Sequence, residues 1–199
     1  MAKSHCGSEQ AVAVHRRTVA FTLIGTLAAL ASLVRGDLQA ATAASPAATE
    51  YEIKAAFLLH FSRFVEWPAS AFATRDAALF ICVLGDDPFG PALEEIVRNE
   101  RVDSHPIAVE RYQLADNVDR CHILFVSRSA ERLQRQILAQ VRDKSILTVS
   151  DEEEFTRRGG VIGFVTVNGK VKLQVNRSSA QRADLRISSR LLRLADEVG

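Results

Sequence analysis

The sequence lacks an excess of charge of either sign and has few cysteines. Its 199 residues include 25 basic and 24 acidic side chains, which gives a net charge of +1. This balance argues against a nucleic-acid-binding domain, which normally carries a basic excess, and against a highly charged disordered chain. Three cysteines are too few for a disulfide-rich scaffold, and their odd number leaves one unpaired. The hydrophobic content of 47% suffices for one domain of ordinary size.

The sequence also lacks the short motifs that mark common active sites. It contains no G-x-G-x-x-G after a strand, no Walker loop, no H-E-x-x-H, no C-x-x-C and no G-x-S-x-G. His60, His105 and His122 show no metal-ligand spacing, and His60 is predicted to pack on the apolar face of a helix. We therefore expect no catalytic residues, no metal and no cofactor, and a protein that is not an enzyme. The catalytic alternative is a Ser-His-Asp triad assembled in space, which only geometry would reveal.

The beginning of the chain has the layout of an export signal. Basic residues precede sixteen residues without charge at positions 19–34, and small residues follow at 40–44. The apolar run is shorter than the about 20 residues that cross a bilayer, which favours a cleaved signal peptide over an uncleaved anchor. We predict a cleaved signal peptide with an N-terminal extension over residues 1–43, exported by the Sec or the twin-arginine route. Its removal leaves a net charge of −1 and two cysteines, Cys82 and Cys121.

After a predicted flexible lead-in at 44–50, the chain alternates helical and strand patterns within a single domain, 51–199. The first helix is predicted to bury a face with Ile53, Phe57 and Phe61. The predicted order is helix 51–65, strand 79–84, helix 89–99, strand 107–111, strand 121–126, helix 129–141, strand 145–149, a short helix from Ser150, strands 161–167 and 170–175, and helix 179–198. The acidic run that follows Ser150 is assigned to the start of its short helix, where it would offset the helix dipole.

The strand patterns define the fold class. Continuous apolar strands that are separated by helices imply a parallel sheet covered on both faces. Asn168-Gly169, between the last two strands, is a strong signal for a tight antiparallel hairpin. We therefore predict an α/β three-layer sandwich, with a mostly parallel sheet, a C-terminal β-hairpin and helices on both faces.

The last predicted helix carries a regular row of basic residues. At ~100° per residue, four arginines fall within an ~80° stripe: Arg182, Arg186, Arg190 and Arg193. Two interpretations stay open, namely the solvated face of an ordinary amphipathic helix and a docking surface for an acidic partner or an anionic ligand. Asn176 and Arg177, which lie just after the last strand, extend this candidate partner or anion surface.

Cys82 and Cys121 lie in two predicted strands, each near the end of its strand. If these strands are neighbours, the Cα separation falls within the ~4.4–6.8 Å that a disulfide needs. An exported protein meets an oxidising compartment, in which disulfides persist. We predict a disulfide between these residues, with two buried reduced thiols as the alternative.

Seven segments of the predicted domain match the motifs of one known family. They are KAAFLL (54–59), FVEWP (64–68), ICVLG (81–85), CHILF (121–125), ILTVSD (146–151), GGVIGF (159–164) and LRISSRLLRLA (185–195). With these motifs in this order, residues 50–198 resemble the YfiR family. The positions taken as the family signature are Lys54, Phe64, Trp67, Pro68, Gly85, Gly160, Ser188 and Ser189. Asp184 departs from the pattern, since family members often have glycine there.

The resemblance implies a function and a location. It implies a periplasmic protein that binds and represses the periplasmic domain of a membrane-bound diguanylate cyclase, an inner-membrane GGDEF protein. Cyclic di-GMP and the output of biofilm and exopolysaccharide would then fall. It also implies the same cysteine pair, although this sequence lacks the second pair of some members; no nucleic acid is expected, and a homodimer is compatible. The alternative is a periplasmic small-molecule sensor or binding protein, with its ligand at the strand ends between 85–87 and 127–129.

Overall fold

The computed structural model describes residues 45–115 and 117–198. Its helices are α1 (Pro46–Phe64), α2 (Pro91–Val97), α3 (Glu131–Val141), α4 (Arg177–Arg182) and α5 (Ser189–Leu192). Its strands are β1 (Val65–Glu66), β2 (Leu79–Leu84), β3 (Arg101–Val102), β4 (His105–Tyr112), β5 (Ile123–Val126), β6 (Leu147–Ser150), β7 (Ile162–Val167), β8 (Lys170–Val175), β9 (Arg186–Ile187) and β10 (Ala195–Glu197). The predicted signal peptide, 1–43, lies outside the described residues.

Eight of these strands form one sheet in the order β10-β8-β7-β6-β5-β2-β4-β3. The strands from β4 to β7 in this order run parallel to one another, and β8 is antiparallel to β7. At the edges, β10 is parallel to β8 and β3 is antiparallel to β4. Strands β1 and β9 pair separately as a small antiparallel sheet.

Both faces of the main sheet are buried under helices. Alternate side chains of a strand point to opposite faces, and in β2 Ile81 and Val83 join the core beneath α1 and α2. Cys82 and Leu84 join a second core, which α3 covers. This arrangement confirms the predicted α/β three-layer sandwich.

The predicted hairpin is also confirmed. Strands β7 and β8 pair from Val167 and Lys170 outward. The two turn residues between them, Asn168 and Gly169, have φ values of 52° and 72°. Two successive positive φ angles characterise the type I′ turn that asparagine and glycine favour.

Helix α1 begins earlier than predicted, and its buried face includes Phe61 as predicted but is shifted away from Ile53. Ser45 caps it by accepting a hydrogen bond from the Ala48 backbone N–H at 3.2 Å, so most of the predicted flexible lead-in, 44–50, is helical. Ile53, expected in the core, is 44% exposed, whereas the neighbouring Lys54 is 1% exposed. His60 is exposed as well and stacks on the ring of Phe64, so its predicted place in the core is wrong.

The predicted short helix after Ser150 is wrong. Residues 152–159 form successive turns, and the Ser150 hydroxyl accepts a hydrogen bond from the Glu152 backbone N–H at 3.1 Å while donating to the Val126 carbonyl at 2.7 Å. Serine hydroxyls commonly hold turns in this way instead of helices. The acidic run that follows therefore does not act on a helix dipole.

The predicted last helix, 179–198, is wrong as well. Helix α4 ends after six residues because Asp184 takes a φ of 54°. The backbone N–H groups of Asp184 and Leu185 donate to the carbonyls of Gln181 and Ala180, which is the hydrogen-bond pattern of a Schellman motif. The chain then forms β9, α5 and β10 in place of one helix. Asp184, where the sequence departs from the pattern of the family that it resembles, is thus the residue that ends α4.

Candidate functional site

The six residues of the candidate partner or anion surface do not lie on one helix face. Arg177 and Arg182 are at the two ends of α4, Arg186 is in β9 and Arg190 is in α5. The structure separates them into groups with different neighbours. The predicted stripe is therefore wrong in its geometry, and each of these residues has its own surroundings.

Arg177 and Arg186 line a small hollow near the C-terminus, with a volume of about 230 Å³. We call it the C-terminal hollow; its other lining residues are Ala180, Gln181, Leu185, Ile187 and Leu192. Most of these are apolar, so the hollow combines an apolar floor with two guanidinium groups. Arg177 makes an exposed ion pair with Glu197 at 3.3 Å.

Two residues of the family signature hold the segment that carries Arg186. Phe64 ends α1, and its carbonyl accepts a hydrogen bond from the Ser188 backbone N–H at 2.8 Å. The Ser188 side chain in turn caps α5 by accepting from the Leu191 N–H at 3.3 Å. These bonds, together with the pairing of β1 with β9, fix the wall that carries Arg186. Ser189, which follows the cap, is exposed.

Asn176 and Arg182 belong to a different region, a larger groove beside α3. Asn176 is buried and has a structural role, since its side chain accepts from the Ser179 N–H at 2.8 Å and donates to the Thr156 carbonyl at 2.9 Å. Arg190 and Arg193 are exposed and line neither the hollow nor this groove.

The predicted disulfide is confirmed. Cys82 of β2 is bonded to Cys121, just before β5, with a Cα separation of 5.9 Å. The two strands are neighbours, as the prediction required. Both cysteines are buried, at 0% and 3% exposure, so a reductant in solution has little access to the bond.

A buried ion pair joins two segments of the family signature and was missed by sequence reasoning. The ammonium of Lys54 lies 2.7 Å from Oδ2 of Asp151 and 2.6 Å from Oε1 of Glu50. The hydroxyl of Tyr51 donates to the same Oδ2 at 2.8 Å, and the Arg128 guanidinium donates to the Asp151 carbonyl at 3.0 Å. This cluster fastens α1 to the carboxyl end of β6.

The electrostatics of the cluster follow from burial and pairing. Burial, reinforced by the hydrogen bond to Asp151, raises the pKa of Tyr51 to about 12. The hydrogen bond from Lys54 lowers the pKa of Glu50 below its usual range. The signal that could have revealed this pair is a lysine on the apolar side of a helix, together with an acidic residue at the end of a strand.

The two loops predicted to bind a small-molecule ligand contact each other directly. The Ser129 hydroxyl accepts a hydrogen bond from the Asp86 backbone N–H at 2.7 Å. A Cβ atom at Gly85 would lie 2.6 Å from that hydroxyl, so the glycine permits close contact between the two loops. Asp87 is also engaged, since its carboxylate pairs with Arg111 at 2.7 Å.

The other signature residues have packing roles. A Cβ atom at Gly160 would lie 2.1 Å from the ring of Phe155, so only glycine fits there. Pro68 caps the 3₁₀ turn 69–71, and the half-buried ring of Trp67 meets His122 edge-on, with 6.4 Å between ring centroids.

Residues 45–115 and 117–198 contain neither a candidate metal site nor a helix that could span a membrane. In that part of the chain no three His, Cys, Asp or Glu side chains come together in a way that could hold a metal ion. None of the helices described is long and apolar enough to cross a membrane.

The fold and these sites define an α/β sandwich with an internal disulfide and a structured C-terminal surface. The chain belongs to the YfiR/HmsC-like family, whose model matches residues 51–196. The chain matches none of the curated proteins. Among solved structures it is similar to a conserved domain protein from Vibrio cholerae O1 biovar El Tor, with 7% identity and a TM-score of 0.46. That similarity covers 60% of this chain and 54% of the other.

Proposed function

We propose that this protein is a periplasmic repressor that binds the periplasmic domain of an inner-membrane GGDEF protein. Binding would hold the diguanylate cyclase inactive and lower cyclic di-GMP, and with it biofilm and exopolysaccharide. The protein would act by contact and would catalyse no reaction. The observation that carries this proposal is the match to the YfiR/HmsC-like family over residues 51–196.

The C-terminal hollow is the contact surface that we propose for the partner. Arginine is enriched at protein interfaces, and energetically important contacts concentrate where apolar pockets are ringed by polar groups. The hollow has such an apolar floor, and Arg177 and Arg186 line it. Leu194, which is 69% exposed nearby in the chain, adds further uncovered apolar surface.

A deletion strain tests the proposed activity. Loss of the gene should raise cyclic di-GMP, measured by mass spectrometry, and the wild-type gene should restore the lower level. The purified protein should also capture the periplasmic domain of a GGDEF membrane protein encoded beside its gene. Unchanged cyclic di-GMP in the deletion strain, together with no capture, would defeat the proposal.

A matched pair of double variants tests the proposed surface. Arg177→Ala/Arg186→Ala removes both guanidinium groups of the hollow and should weaken capture by about tenfold or more, as expected for arginine hot spots. Arg75→Ala/Arg98→Ala removes two exposed arginines outside the hollow and should leave capture unchanged. Equal effects of both variants would place the contact elsewhere.

Export is tested separately. The protein recovered from the periplasmic fraction should have the mass of a chain that lacks residues 1–43. The unprocessed mass in the membrane fraction would indicate an uncleaved anchor instead.

A further inference from the structure

A groove lined by arginines lies on the α3 side of the sheet. It has a volume of about 1280 Å³ and is bounded by α3, the turn 157–159 and the end of α4. Six arginines line it: Arg132, Arg135, Arg142, Arg157, Arg158 and Arg182. Glu131 is the acidic residue among its lining side chains. We call this the arginine groove.

Helix α3 and Arg142, the residue directly after it, contribute three of these arginines as a stripe. Arg132, Arg135 and Arg142 are three and then seven positions apart, which at ~100° per residue places them within about 80° of one another. The apolar face of the same helix, with Ile137 and Val141, is buried in the core. The stripe is therefore held in one orientation by the packing of α3.

Most of the positive charge in the groove is not compensated. Arg157 pairs with Glu154 at 2.9 Å. Within the described part of the chain, Arg132, Arg135 and Arg142 form no ion pair with a carboxylate. Several guanidinium groups facing one groove repel each other, and an anion would relieve that repulsion.

A second observation points to a ligand in the groove. Gln134 lines it and is 3% exposed. Its Oε1 accepts a hydrogen bond from Arg158 at 3.0 Å, but its Nε2 has no acceptor among the described residues. Buried amide donors are almost always satisfied, so an oxygen from outside the protein is expected here.

The chemistry of the lining identifies the class of ligand. Guanidinium groups bind phosphate oxygens through paired hydrogen bonds, and the groove offers six of them. A single phosphate would engage only a few of these, and the groove exceeds the roughly 300–1,000 Å³ of ordinary ligand pockets. We propose that the arginine groove binds a molecule that carries two or more phosphate groups. This site does not depend on the proposed function.

Isothermal titration with tripolyphosphate tests the proposal on the purified exported protein. We expect saturable binding that is about tenfold or more tighter than binding of orthophosphate at equal ionic strength. Arg135→Gln/Arg142→Gln should weaken it by about tenfold or more, and Gln134→Leu should weaken it as well. The control Arg75→Gln/Arg98→Gln has the same change in charge outside the groove and should bind as the wild type does. Thermal unfolding confirms that each variant is folded.

Two further arms identify the source of the phosphates. Binding to phosphatidylglycerol–cardiolipin vesicles that tripolyphosphate displaces would assign the groove to lipid headgroups, and tripolyphosphate binding without vesicle binding would assign it to a free ligand. Either result supports the site. The proposal is overturned if tripolyphosphate does not saturate, if the control pair weakens binding as much as the groove pair, or if poly-glutamate binds more tightly than tripolyphosphate.

Discussion

At the scale of single residues, Lys54 shows how a charge becomes part of a core. Its ammonium is 1% exposed and is neutralised by Asp151, whose side chain is 2% exposed. Removing one partner of a buried pair leaves the other charge desolvated and unpaired, which costs far more than the pair contributes. The pair therefore specifies how α1 docks on the sheet.

This asymmetry gives a prediction. Lys54→Met or Asp151→Asn should each lower the free energy of unfolding by about 3–5 kcal/mol. The double variant Lys54→Met/Asp151→Asn should lose much less than the sum, because neither charge of the pair is then left buried without its partner. Urea denaturation of all four proteins forms the cycle. The exposed pair of Glu154 and Arg157 is the control, since its loss should cost less than about 1 kcal/mol. If the double variant loses the sum of the free energies that the two single variants lose, Lys54 and Asp151 are not energetically coupled.

His122 is held neutral by its two ring contacts. The Phe80 backbone N–H donates to Nδ1 at 3.1 Å, so the proton is on Nε2, which donates to the Ala71 carbonyl at 3.2 Å. The ring of Phe72 stacks on it with 4.5 Å between centroids. Burial lowers the pKa of His122 from 6.5 to about 4.

The pKa of His122 makes the stability of the fold dependent on pH. Between pH 6.5 and about 4 the unfolded chain protonates this histidine and the native state does not, so stability falls as the pH falls through that window. The slope for one proton is at most about 1.4 kcal/mol per pH unit. His122→Gln should lack this component, so urea unfolding of wild type and variant at pH 7 and pH 5 measures it. Parallel pH dependences of the two proteins would contradict it.

At the scale of elements, local patterns predicted the strands but not the C-terminal segment. The runs that became β2, β5 and β6 are buried on both sides, so their continuous hydrophobicity is a local signal. The segment after β8 has a helical period, yet its structure is decided by partners far away in sequence. Strand β9 pairs with β1, and β10 pairs with β8. Such pairing overrides local preference.

The prediction of the candidate site was wrong for the same reason, namely contacts between segments that are far apart in the sequence. The arginine stripe expected at 182–193 depended on one continuous helix. The stripe of Arg132, Arg135 and Arg142, along α3 and the residue after it, has the same kind of period. Nothing local distinguishes a stripe on a surface from a stripe in a groove. The opposite wall, with Arg158 and Arg182, comes from segments that only the fold brings near. The disulfide was predictable because it required only that two strands be neighbours.

A glycine substitution near the end of α4 tests whether the helix ends there, because it should stabilise the fold if the helix ends and destabilise it if the helix continues. In the left-handed conformation glycine is less strained than any other residue, so Asp184→Gly should raise the free energy of unfolding by up to about 1 kcal/mol. If 179–198 were one helix, glycine in its interior would instead destabilise by about 0.5–1 kcal/mol. Asp184→Ala is the control and should be less stable than the wild type. Thermal unfolding of the three proteins determines their order of stability.

At the scale of the whole molecule, α4 lies between two different surfaces. Its first residue, Arg177, lines the C-terminal hollow, and its last, Arg182, lines the arginine groove. The near-neutral total charge hides this local concentration of arginines. The partner contact and the anion site that we propose would thus lie at opposite ends of α4.

The disulfide acts on the whole molecule through its unfolded state. It closes a loop of 39 residues, which restricts the unfolded chain and stabilises the fold by roughly 3–4 kcal/mol in the chain-entropy model. Reduction should therefore lower the midpoint of urea unfolding and increase the m-value, because the unfolded chain becomes less compact. Cys82→Ala/Cys121→Ala should behave alike with and without dithiothreitol, which controls for other effects of the reductant.

Since neither cysteine lines the hollow or the groove, the reduced protein should still capture its partner while it remains folded. Loss of capture before any loss of structure would instead place the disulfide in the control of binding.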